Sequence, residues 1–162
     1  MKRIWAAALA CFMLICHAQA KAVDADALLT LTVGGAAYRL GESTVEDIAA
    51  DGWPYTVEGD GTFAFYSPEN ESYFYARTLS GAAADPVIYL DMMWADGVPV
   101  VYCGIPADGD EPSLWDWLAG NFPAETNEDG ALIAAVSLPT GDVLQIATTG
   151  QRVRLTLTQA DE

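Results

Sequence analysis

Moved 69 residues along itself, the sequence meets its own helix caps and turns. Asp47 falls on Asp116, Ala50 on Ala119, Pro54 on Pro123 and Asp60-Gly61 on Asp129-Gly130. Thr44 falls on Ser113, Val45 on Leu114, Trp53 on Phe122, and Leu31-Thr32-Val33 on Val100-Val101-Tyr102. Matches at caps and turns carry weight, because backbone geometry restricts the residue types there. A fixed offset of this kind predicts two copies of one structural unit. The copies cover residues 28–96 and 97–158, with tails at 21–27 and 159–162.

Each copy has the same physical reading. Thr44 and Ser113 are N-cap residues, and Asp47 and Asp116 lie three positions on, near the positive end of a helix dipole. Short helices are expected at about 44–51 and 113–119. Val45, Ile48 and Ala49 form one apolar stripe, and Leu114, Trp117 and Leu118 form the other. Gly52 and Gly120-Asn121 are expected to end them through left-handed caps. Trp53-Pro54 and Phe122-Pro123 follow, and a proline cannot continue a helix. Strands are expected at about 28–33, 37–40, 62–66, 72–78 and 87–94, then at 98–105, 131–137, 142–148 and 152–158. Links as short as Pro139-Thr140-Gly141-Asp142 join antiparallel neighbours. The expected class is α+β: two tandem short-helix-plus-antiparallel-sheet units, with the helices packed on one sheet face.

The first 20 residues read as a signal peptide. Lys2 and Arg3 precede an uncharged run from Ile4 to Ile15, and His17-Ala18-Gln19-Ala20 ends in an A-x-A-like cleavage pattern. The mature chain is therefore expected to be secreted, periplasmic or otherwise extracytoplasmic. A lipid anchor on Cys16 is disfavoured, since Ile15 stands where lipid attachment wants a small residue. Past the cut there is no histidine, and Cys103 is the one cysteine left. An internal disulfide is thus excluded, and Cys103 reads as a small buried hydrophobe in the run Val100-Val101-Tyr102-Cys103. Five basic residues stand against 23 acidic ones, a net charge of −18. Such a charge repels nucleic acid and anionic lipid, so neither is expected as a partner.

The motif Gly41-Glu42-Ser43-Thr44-Val45-Glu46-Asp47-Ile48-Ala49-Ala50-Asp51-Gly52-Trp53 resembles that of small, mostly uncharacterised secreted proteins and lipoproteins of gut Firmicutes. Their unit is a strand, a capped helix, a Gly-aromatic step and a meander. Gly104-Ile105 is similar to the entry of their second unit. In shape, two such units resemble the beta-lactamase inhibitor protein and a small outer-membrane assembly lipoprotein. Two departures stand out. Asn121-Phe122-Pro123 replaces the usual Gly-x-Pro, and the inhibitor's disulfides are absent. No inhibitory residue transfers to a position in this chain.

Catalytic arrangements are scarce. Serine and cysteine triads need a histidine base. No G-x-S-x-G, P-loop or G-x-G-x-x-G occurs. Asp108, Asp110 and Glu111 crowd one loop, yet lack calcium-loop spacing, so no metal and no cofactor is expected. A carboxylate-pair hydrolase needs only Asp and Glu and stays open as an alternative, as does a proteinaceous inhibitor of an extracellular enzyme. The stronger signal lies in the first copy. Phe63 and Phe65 alternate with Ala64 and Tyr66, Tyr73 and Tyr75 with Phe74 and Ala76, and Val87, Tyr89 and Asp91 with Ile88, Leu90 and Met92. Both sheet faces are rich in aromatic or apolar groups there. In the second copy Val153, Leu155 and Leu157 alternate cleanly with Arg154, Thr156 and Thr158. This pattern predicts a non-enzymatic binding protein that offers a Tyr-rich sheet face to a protein or cell-envelope partner. The candidate contact residues are Tyr66, Tyr73, Tyr75, Tyr89, Trp94 and, off the helical stripe, Trp115.

Overall fold

A computed structural model describes residues 23–67, 72–93, 98–107, 113–149 and 152–160. The segment read as a signal peptide, Trp94 and the acidic residues Asp108, Asp110 and Glu111 lie outside the described residues. The chain opens with a helix that the sequence patterns did not disclose, α1 (Ala25–Leu29), where a tail and then a strand were expected; Asp24 caps it through the amide of Asp26. Strands β1 (Thr30–Val33) and β2 (Ala36–Arg39) form a hairpin. Its turn holds Gly34 and Gly35 at φ +60° and +91°. A two-residue loop needs positive φ at both positions to match the strand twist, and glycine reaches it without a Cβ clash.

Helix α2 (Val45–Ala50) follows, then β3 (Tyr55–Val57), β4 (Thr62–Ser67), β5 (Ser72–Thr78) and β6 (Val87–Met93). The second half runs β7 (Val100–Tyr102), β8 (Ile105–Pro106), α3 (Leu114–Asn121), β9 (Ala124–Thr126), β10 (Leu132–Ser137), β11 (Val143–Thr149) and β12 (Arg152–Thr158). The single strand expected at 98–105 is instead a hairpin. It turns at Cys103 and Gly104, with φ of +51° and +78°. Cys103 is half-buried in that turn and donates to the Ala27 carbonyl at 3.3 Å. Burial pushes its thiol up to about 11.

Both helix caps form as the sequence implied. The Asp47 amide donates to Thr44 Oγ1 at 3.1 Å, and the Thr44 amide donates to Asp47 Oδ2 at 2.8 Å, closing a capping box. Ser113 Oγ accepts from the Asp116 amide at 3.1 Å. The second C-terminus differs from expectation. Gly120 and Asn121 stay helical, and Asn121 Nδ2 donates back to the Trp117 carbonyl at 2.8 Å. The Phe122 amide then closes the last turn on the Leu118 carbonyl at 3.0 Å, so the helix ends without a left-handed residue.

The strands make two antiparallel sheets of unequal size. One has four strands in the order β2-β1-β7-β8; the other has eight, β3-β4-β5-β6-β12-β11-β10-β9. The expectation of one sheet per unit does not hold, because each sheet draws strands from both halves of the chain. The seams are β1 with β7 and β6 with β12, both antiparallel. One hydrophobic cluster joins both sheets and the helices. Phe65, Phe74, Met92 and Val153 lie side by side across the large sheet and are fully buried. Tyr38 of the small sheet stacks on Phe74 at 5.8 Å, and Leu114 and Leu118 of α3 join the same cluster. Full burial of each such side chain contributes about 1.5–3 kcal/mol. The inward face of the large sheet is therefore the core, and its other face, here called the open face, carries the exposed side chains Tyr66, Tyr73 and Met93.

Candidate functional site: the open face of the large sheet

Strand pairing decides which side chains share the open face. Three cross-strand rows run over it. Tyr66, Tyr73, Met93 and Arg152 form the first; Ala64, Tyr75, Asp91, Arg154 and Ala147 the second; Thr62, Arg77, Tyr89 and Thr156 the third. All four tyrosines singled out from the alternation lie here. Tyr66 and Tyr73 are exposed and pair their rings at 5.0 Å between centroids, while Tyr75 and Tyr89 are half-buried. Trp115 is elsewhere, half-buried on α3 against the core. Val87 also departs from expectation. A register irregularity between Arg77 and Thr78 pairs Thr78 with Val87 and sends that side chain inward, to full burial.

The middle of the open face holds an ionic cluster that the aromatic pattern did not foretell. Asp91 is 1 % exposed. Its Oδ1 accepts from Arg152 Nε at 2.6 Å. Its Oδ2 accepts from Arg152 Nη2 at 2.5 Å, Arg154 Nε at 3.1 Å and the Tyr89 hydroxyl at 2.7 Å. Oδ2 thus takes three donors and Oδ1 one. Burial pushes the Asp91 carboxyl upward, but Arg152, Tyr89 and Arg154 together outweigh it and hold it below the usual carboxylate range. Burial, reinforced by the Asp91 hydrogen bond, raises the Tyr89 phenol to about 12, against the opposing pull of Arg154 and Arg77. Arg152 is raised by its hydrogen bonds to Asp91, against a smaller burial effect. Asp91 is therefore a buried anion held by four donors, with no proton to give at neutral pH.

Arg77 extends the cluster toward the β3–β4 turn. Its Nε donates to Thr62 Oγ1 at 3.0 Å, and its guanidinium carbon sits 4.9 Å from the centre of the Tyr89 ring. Asp60 lies 3.8 Å from Arg77 Nη2, an exposed pair that solvent screens. Tyr75, Tyr89, Arg77, Asp91 and Arg152 floor a shallow concavity of about 650 Å³, with residues 58–60 at its rim. Two features could have betrayed the cluster in the sequence. One is a charged residue inside the otherwise uncharged strand Val87–Met93; the other is Arg152 and Arg154 on alternate positions of an amphipathic strand. A buried carboxylate needs a cationic partner, but local patterns do not reveal which strand supplies it.

No group of three or more metal-capable side chains occurs among the described residues, and no helix among them is long and apolar enough to cross a membrane. No protein-family model, no curated protein and no solved structure matches the chain.

Proposed function

We propose that the chain is an exported, non-enzymatic binding protein of two tandem units, and that the open face of its eight-stranded sheet docks a protein or cell-envelope partner. The observation that carries this reading is the line of exposed apolar and aromatic groups Tyr66, Tyr73 and Met93, at 39 %, 42 % and 44 % exposure, beside a fixed ionic cluster. Aromatic and methionine side chains dominate interface cores, and arginine is enriched there too. A preformed cluster needs no reordering on association, which lowers the entropic cost of binding.

The tandem reading draws support from strand order. The first half contributes β2-β1 and β3-β4-β5-β6, and the second contributes β7-β8 and β12-β11-β10-β9, in mirrored sequence. The left-handed turns also keep the 69-residue offset: Gly34-Gly35 corresponds to Cys103-Gly104, and Gly61 to Gly130. Affinity capture from the surface proteins of the producing organism tests the docking role. Capture by the mature chain is expected to be lost when Tyr73 and Tyr75 are both changed to Ser. Undiminished capture by that variant would sink the reading.

A further inference from the structure

We infer that the open face recognises a segment of a partner protein carrying one isolated carboxylate next to apolar side chains, with the carboxylate seated on Arg152 and Arg154. The inference rests on the docking reading above and names the chemistry of the docked segment. Three observations carry it.

The first is the donor balance. Asp91 takes four donors, three of them on Oδ2, and is buried, so it offers little to an arriving group. The two guanidiniums carry about ten N–H bonds between them and spend three on Asp91. The remainder are not spent on Asp91, and the side chains are 38 % and 41 % exposed. An arriving group meets surplus cationic donors, so it is an oxyanion. Lysine in either place would offer a point charge in place of the planar fork that suits a carboxylate.

The second is charge distribution. The outward side chains of the six central strands, β4–β6 and β10–β12, include three arginines and one aspartate. This is a local excess of positive charge on a chain whose residues beyond the signal carry −18. Glu58 and Asp60 border the patch on one side, and Glu125 of β9 stands at the far edge. A polyanion would meet that surrounding charge and be repelled, whereas a single anionic group confined to the centre would not. The same repulsion disfavours an anionic lipid surface.

The third is the apolar track. Met93, Tyr73 and Tyr66 continue the row that begins at Arg152. Neighbouring strands lie ~4.8 Å apart, so the track runs for roughly 14 Å from the arginine. Three extended residues span about 10 Å, which matches the carboxylate at one end and apolar side chains over Met93 and Tyr73.

The probe is acetyl-leucyl-leucyl-phenylalanine with a free C-terminal carboxylate, titrated into the mature protein and followed by NMR. Saturable shifts are expected at the Arg152 and Arg154 side chains and at the Met93 methyl. The C-terminal amide of the same peptide is expected to bind about tenfold more weakly or worse, the usual loss when a charged hydrogen bond is removed. Arg154→Gln should lose about the same factor, and Arg154→Lys should recover only part of it. Met93→Ser should weaken acid and amide alike. Thermal unfolding reports whether each variant folds, and the acid-to-amide comparison on the unaltered chain decides the matter if Arg154→Gln does not. Equal binding of acid and amide overturns the inference, as does tighter binding per carboxylate by poly-glutamate or binding to phosphatidylglycerol vesicles. If capture fails on the Tyr73 and Tyr75 variant while acid and amide bind alike, the docking face stands and its carboxylate specificity falls. If capture is unaffected by those tyrosines, the docking reading itself falls.

Discussion

Asp91 concentrates the energetics of the open face in one carboxylate. It is buried, while both of its arginines reach solvent. Loss of one partner from a buried ion pair costs ~3–5 kcal/mol, and solvent around the guanidiniums brings the figure toward the lower end. Asp91→Asn is therefore expected to destabilise the fold by about 3 kcal/mol at neutral pH. The pH dependence has a definite sign. A carboxyl whose pKa is lower folded than unfolded stabilises the fold above the unfolded value, near 3.9. That contribution fades as pH falls through the lower folded value. Tm measured between about pH 7 and pH 2 should thus fall more steeply for the unaltered chain than for Asp91→Asn, the two curves converging in acid. Parallel curves would mean that Asp91 titrates alike in the folded and unfolded chains.

At the scale of elements, the caps are the parts the sequence discloses best. Thr44 and Asp47 satisfy two amides reciprocally, and α2 is only six residues long, so the cap serves a large share of its backbone. Thr44→Ala is expected to cost about 1 kcal/mol in denaturant unfolding, with an unchanged m-value. Thr44→Ser should cost much less. Most of the longer strands were legible for a similar local reason: alternation such as Val153, Leu155 and Leu157 fixes both the strand and its buried face. The short edge strands β3 and β9 were not, because three residues leave too few alternations to read, and all of β3 is exposed. The hairpin at Cys103-Gly104 hid inside an apolar run, since a cysteine at positive φ is a poor turn signal. At the site, the sequence placed Tyr66, Tyr73, Tyr75 and Tyr89 on one face, but Asp91 and Arg152 are 61 positions apart. Only the pairing of β6 with β12 brings them together, and pairing across such a distance leaves no local trace.

Across the whole molecule, the two seams make each half depend on the other. Without residues 97–158, β1 loses its pairing with β7 and β6 loses its pairing with β12. Without residues 28–96, β7 and β12 are left equally bare. An isolated half would present two new sheet edges and one side of a shared core to water, and open edges of this kind recruit other chains. Asp91 and its arginines would also be parted, leaving a carboxylate on one fragment and two guanidiniums on the other. Residues 23–96 and 97–160 produced separately are therefore expected to be unfolded or aggregated, each without a sharp thermal transition. Mixed from denaturant, they should form a one-to-one complex that unfolds cooperatively, and Asp91→Asn in the first fragment should weaken that complex in parallel with its effect on the intact chain. Circular dichroism and sedimentation of each fragment, alone and mixed, make the comparison. A sharp transition in either fragment alone would mean that its strands close a core without the seam, and the ionic cluster would then be an ornament of the interface, not a part of what joins the halves.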